Sequence, residues 1–128
     1  MSPMTDPIGD LLTRIRNAQA ARKDGCSAPW SVIKQQLCEL LVQGGWLQSV
    51  TKVGEEPHFE LDVVFVPGKK LELKRVSTPG RRLYAGADDL KPVLNGYGVA
   101  VLTTSQGLLT DREAKKRRIG GEILCTIS

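Results

Sequence analysis

Ile8, Leu11, Leu12 and Ile15 recur at three- and four-residue steps, the spacing of a single helix face. The stretch before them carries start signals. Thr5 can cap, Asp6 suits the positive end of the helix dipole, and Pro7 suits the first turn. The pattern predicts a helix that ends near Ala21. A second helix is predicted over residues 31–43, with Ile33, Leu37, Leu40 and Leu41 as its buried stripe and Gly44-Gly45 as a left-handed stop. From Trp46 the period changes. A strand is expected to about Val53, then a turn at Gly54-Glu55-Glu56-Pro57. In HFELDVVFV, Phe59, Leu61, Val63 and Phe65 alternate with His58, Glu60, Asp62 and Val64, which predicts a strand with one buried face. With a short extended piece between the helices, this half reads α–β–α–β–β.

Pro67-Gly68 interrupts the pattern, and the elements that follow are shorter. Strands are expected over residues 71–76 and, after the Thr78-Pro79-Gly80 turn, over 81–85. Asp88-Asp89-Leu90 suggests a brief helical turn and Leu94-Asn95-Gly96 a loop. GVAVLTT reads as a buried strand, TDREAKKRR as a short helix and EILCTI as a last strand. The expected class is α+β in two small domains. Residues 1–67 would form an N-terminal α-β-α-β-β layer, and residues 68–128 a mostly-β domain with a short helix.

Charge separates the same two halves. Residues 1–68 hold six Lys/Arg against eight Asp/Glu, and residues 69–128 hold twelve against six. The basic excess therefore belongs to the second half, which points to a polyanionic partner there; a solvated basic surface is the plainer alternative. A composition of 41% hydrophobic and 25% charged residues is that of an ordinary soluble globular chain. No apolar run approaches membrane-spanning length and the first residues lack a secretory pattern, so a cytoplasmic protein without membrane contact is expected. Cys26, Cys38 and Cys125 are widely spaced, without metal-ligand spacing, and read as buried free thiols; no metal or cofactor is expected.

Catalytic motifs are missing. His58 is the only histidine and falls on the polar face of a strand. There is no nucleophile elbow around Ser105, no P-loop and no dinucleotide-binding glycine pattern. An enzyme is not expected. TTSQGLLTDRE fits a binding module better. Thr103, Thr104 and Ser105 lie at a strand exit, Gly107 frees the turn, and Thr110 with Glu113 has capping-box spacing. Hydroxyls and backbone N–H groups gathered there suit a nucleic-acid backbone or an unstacked base; a well-capped turn is the plainer reading. Basic residues cluster at Lys69, Lys70, Lys74 and Arg75, at Arg81 and Arg82, and at Lys115, Lys116, Arg117 and Arg118. Tyr84 follows the arginine pair and could stack on a base or simply pack.

VSTPGRRLYAG, LNGYGVAVLTTSQGLLTDREAKK and GGEILCTIS resemble the C-terminal domain of bacterial-type ribosomal protein eight of the small subunit. MTDPIGDLLTRIRNAQAA resembles that family's N-terminus. The resemblance spans most of the chain and is weakest between about Lys23 and Lys74. It implies a two-domain α/β protein that is a primary binder of small-subunit ribosomal RNA and helps the central domain assemble beside neighbouring ribosomal proteins. In some bacteria the same surface binds a matching site on messenger RNA and represses translation.

The family's signature, Ser-Thr-Ser-Lys-Gly and then a Thr-Asp-Arg helix start, reads here as Thr103-Thr104-Ser105-Gln106-Gly107 and then Thr110-Asp111-Arg112. Thr103 keeps the hydroxyl, and Gln106 replaces the usual basic residue. Thr78 precedes Pro79 where a basic residue is more usual. By the same resemblance Tyr84, Gly121 and Glu122 join the RNA-binding set with Arg81 and Arg82. Glu122 would accept from a base amino group or orient a basic neighbour. Thr5, Arg14 and Asn17 are candidates for secondary RNA contacts.

Overall fold

The computed structural model describes residues 6–90 and 97–128. Thr5 and the loop expected at Leu94-Asn95-Gly96 lie outside the described residues. The chain divides into two compact units between Leu71 and Glu72, a few residues beyond the change of pattern at Pro67-Gly68.

The first unit runs Pro7–Leu71. Helix α1 (Pro7–Ala20) opens on its proline and buries Ile8, Leu11, Leu12, Ile15 and Ala18. Strand β1 (Gly25–Pro29) leads to helix α2 (Val32–Gln43). The Ser31 hydroxyl caps α2 by accepting from the Lys34 N–H at 3.3 Å. The buried stripe of α2 is Lys34, Leu37, Cys38 and Leu41. Ile33 and Leu40, expected there, are only half-buried. The displacement follows from Lys34, whose ammonium donates to the Pro29 carbonyl at 3.0 Å and lies 3.5 Å from the Asp10 carboxylate. A lysine with such partners can sit inside; one without them cannot. The helix stops with Gly45 in the left-handed region at φ 80°. Strands β2 (Leu47–Glu55) and β3 (His58–Phe65) complete an antiparallel sheet in the order β1-β3-β2. The central strand β3 buries Leu61, Val63 and Phe65 on one face, as the alternation predicts.

The second unit comprises residues 72–128 with Asp6, whose carboxylate pairs with Arg75. Its strands are β4 (Leu73–Arg75), β5 (Tyr84–Ala85), β6 (Val99–Thr104), β7 (Gly107–Thr110) and β8 (Gly121–Ile127). Helix α3 (Asp111–Arg117) follows β7, and a 3-10 turn occupies Ala87–Asp89. The sheet is antiparallel, ordered β4-β8-β6-β7, with β5 also on β8. Leu90, Ala100, Leu102, Leu109 and Ala114 form a core cluster, with Ala85 and Ile123 packed against it.

Two expectations change here. The strands expected over 71–76 and 81–85 shrink, because both pair with successive parts of β8. Arg75 pairs with Cys125 and Tyr84 with Glu122, so the segment between must loop out. Residues 107–110, expected as a turn into the helix, instead form β7 against β6. Leu108-Leu109 is too short a run to display a period.

Cys38 and Cys125 are buried free thiols, and burial pushes both up to about 12. Cys26 departs from expectation in being only partly buried, with its thiol also raised, chiefly by burial. Among the described residues, no helix is long and apolar enough to cross a membrane.

Candidate nucleic-acid interface

The hydroxyl-rich stretch is a β-hairpin. Thr104 pairs with Gly107, which leaves Ser105-Gln106 as a two-residue loop between β6 and β7. Gly107 sits at φ 99°, a region costly for any side-chain-bearing residue. The Thr104 hydroxyl closes the loop. It donates to the Gly107 carbonyl at 2.9 Å and accepts from the Gln106 N–H at 3.1 Å. One of the three adjacent hydroxyls is therefore a structural staple. The hydroxyls of Thr103 and Ser105 have no hydrogen-bond partner among the described residues, and Ser105, Gln106 and Gly107 are exposed.

Helix α3 is fixed beside this loop. Thr110 caps it by accepting from the Glu113 N–H at 3.3 Å. Only that half of the capping box forms as a side-chain cap, because the Glu113 carboxylate turns to Arg117. Asp111, which is buried, accepts from the Ala100 N–H at 3.3 Å and ties the helix start to β6.

Strand register then aligns the remaining residues. Tyr84 on β5 lies opposite Glu122 on β8, Glu122 opposite Thr103 on β6, and Thr103 opposite Leu108 on β7. Directly opposed residues of an antiparallel sheet share a face. Their neighbours Ala85, Ile123, Leu102 and Leu109 belong to the core on the other face. The row Tyr84–Glu122–Thr103 thus lies on the face opposite that cluster, at the hairpin end of the sheet; further along the same face Val101 and Cys125 are fully buried. Tyr84 is 70% exposed, so the packing alternative for its ring does not hold.

Glu122 is the buried member of the row. Arg82 donates to its carboxylate at 3.2 Å, while the Arg82 side chain stays 58% exposed. Of the two roles the resemblance implied, orienting a basic neighbour is the one this geometry displays. Gly121 has a steric reason. Strand β8 there passes between Ala85 and Thr103, and a side chain would collide with the Thr103 carbonyl.

Arg81 and Arg82 leave a tight turn in which Thr78 and Arg81 exchange both backbone hydrogen bonds, at 2.9 and 3.0 Å. Ser77 anchors it from within. Its buried hydroxyl accepts from the Leu83 N–H at 2.9 Å and donates to the Leu83 carbonyl at 3.3 Å. Sequence reasoning passed over Ser77 and Asp111 as supports. Neither breaks a hydrophobic pattern, and only the chain reversal around each shows why a polar group is buried there.

Arg14 and Asn17 belong to the first unit and are not part of this row. Arg14 donates to Asp10 at 3.0 Å and to the Ser27 carbonyl at 3.2 Å. Both residues line an open cleft of about 670 Å³ with Lys23, Cys26 and Asp62.

A family model described as ribosomal protein S8 matches residues 6–128. The chain belongs to the ribosomal protein S8 family. Small ribosomal subunit protein uS8 of Xanthobacter autotrophicus is 43% identical, across 97% of this chain and 98% of its own. The protein of the same name from Acidithiobacillus ferrooxidans is 44% identical, across 98% of each chain. That of Staphylococcus carnosus is 43% identical, across 97% and 98%. The α+β class expected for the chain is the one observed, with two helices on a sheet in the first unit and mostly strands with a short helix in the second.

Proposed function

We propose that this chain is a structural constituent of the small ribosomal subunit and binds small-subunit ribosomal RNA through its second unit, helping the central domain to assemble. It works in the cytoplasm, within the ribosome, beside other small-subunit proteins. The observation that carries this reading is membership of the S8 family across residues 6–128. The groups at the hairpin end of the second unit's sheet support the location. An exposed tyrosine, an arginine oriented by a buried glutamate, and a hairpin whose Ser105 hydroxyl has no hydrogen-bond partner among the described residues lie along or beside one sheet.

Each part has a chemical role. Tyr84 offers a ring for stacking. Ser105 and Thr103 offer hydroxyls that donate or accept, which suits sugar, phosphate and base edges alike. Arg81 and Arg82 supply charge to phosphates. Thr104, Gly107 and Gly121 hold the backbone in place. A distorted RNA element fits this set better than a regular duplex, whose major-groove edges are out of reach. Thr5, Arg14 and Asn17 are proposed as secondary contacts. A messenger RNA that reproduces the same element would use the same surface.

The test is a footprint of the purified chain on naked small-subunit RNA. Protection confined to one irregular helix of the central domain is the expected result. Uniform or absent protection at moderate salt would remove the proposal. Adding a leader fragment of the chain's own messenger RNA as competitor tests the repressor role.

A further inference from the structure

The hairpin loop has no charge of its own, yet a guanidinium rests against it. Arg117 donates through Nη1 to Gln106 Oε1 at 3.0 Å. Glu113 Oε1 holds the same guanidinium elsewhere, accepting from Nε at 3.1 Å and lying 3.0 Å from Nη2. The short strand β7 and the capped helix α3 make this possible by returning the chain from residue 107 to residue 117 beside the loop. A guanidinium carries only donors, so the part of the Gln106 amide turned toward it has to be the oxygen. The amide NH2 is thereby directed elsewhere. Nε and Nη1 donate in these two hydrogen bonds, and the Arg117 side chain is 45% exposed.

We propose that Arg117 and Gln106 act as one phosphate-binding unit at the loop tip. Arg117 supplies the cation that position 106 lacks and fixes the Gln106 amide as a donor. The inference rests on the reading of the hairpin as an RNA contact. Phosphate oxygens only accept, and with Gln106 Oε1 engaged by Arg117 the groups this pair has left are donors. Residues 111–118 carry five basic and two acidic side chains, so the surroundings also favour an anion. Glu113 sets the guanidinium plane, and the basic excess of residues 111–118 outweighs its charge. An ordinary exposed i,i+4 pair would stabilise α3 and do nothing else, and that is the rival the experiment must separate.

The experiment titrates the full chain against a fragment of the small-subunit RNA central domain at several salt concentrations. R117Q is expected to bind about five- to tenfold more weakly at moderate salt, with roughly one fewer ion in the salt dependence. Its thermal melt should match that of the unaltered chain. Gln106→Lys placed in the R117Q background should restore most of the affinity and the salt slope, because it returns a cation to the loop. Weaker binding with an unchanged slope and no rescue would overturn the proposal in favour of the helix-stabilising role. Unchanged binding by R117Q, with Ser105→Ala still weakened, would overturn it and leave the loop reading standing. Unchanged binding by R117Q, Ser105→Ala and Tyr84→Ala together would remove the loop reading and this inference with it.

Discussion

Glu122 and Tyr84 face each other across two strands and have opposite exposures, 8% and 70%. The contrast follows from chemistry at the level of the residue. A carboxylate tolerates burial when a guanidinium meets it, as Arg82 does, whereas an aromatic ring left in water has no packing role to explain it. The same reasoning applies to the thiols. Cys38 and Cys125 ionise near 12 in the folded chain, against an ordinary value of 9.0. Above pH 9 the unfolded chain therefore loses these protons first. Their stabilising effect is complete below pH 9 and is lost as the pH rises from there through about 12, at about 1.4 kcal/mol per thiol per pH unit. Thermal melts should be flat from pH 7 to 8.5 and fall beyond it, with a smaller fall in Cys38→Ala than in the unaltered chain after allowing for its lower starting point. Alkylation at pH 8 should mark Cys26 first and reach the other two only on unfolding. Rapid labelling of Cys38 in the folded protein would contradict its burial.

The helices and the central strand of the first unit were legible because their apolar spacing is long enough to state a period. Even there the α2 stripe shifted, since no pattern announces that Lys34 is buried against Pro29 and Asp10. The hairpin was harder. Its signals, three hydroxyls and a glycine, predict a strand exit and a turn, which is correct as far as it goes. The strand β7 behind the turn and the inward use of the Thr104 hydroxyl depend on which residues pair across the loop. Pairing is a property of two segments, and composition of either one does not contain it. The element's stability makes this testable. Gly107→Ala puts a side chain at φ 99° and should cost about 1 kcal/mol or more in a denaturant melt. Because the strain falls at the hairpin, RNA affinity should drop with it. A neutral Gly107→Ala would mean that the loop adopts some other turn.

At the scale of the molecule, the charge asymmetry and the row of contacts concern the same unit. Residues 69–128 hold the basic excess, and the row Tyr84–Glu122–Thr103 lies at the hairpin end of one face of the sheet built from residues 73–127. The charge pointed to a polyanionic partner without excluding a solvated basic surface, and the motif order pointed to the family. Neither contained the alignment, because Tyr84, Thr103 and Glu122 are far apart in sequence and meet only through β8. Binding to RNA should accordingly weaken with salt, by several released ions if Arg81, Arg82 and the α3 cluster all meet phosphates. RNA binding through Tyr84 and the hairpin is what the proposed function requires. Its most direct test compares the unaltered chain with Tyr84→Ala and Ser105→Ala in titrations against the small-subunit RNA central domain, with thermal melts confirming the fold. The account predicts that each substitution weakens binding by about 1–3 kcal/mol. Full affinity in both variants, with the fold intact, would contradict it.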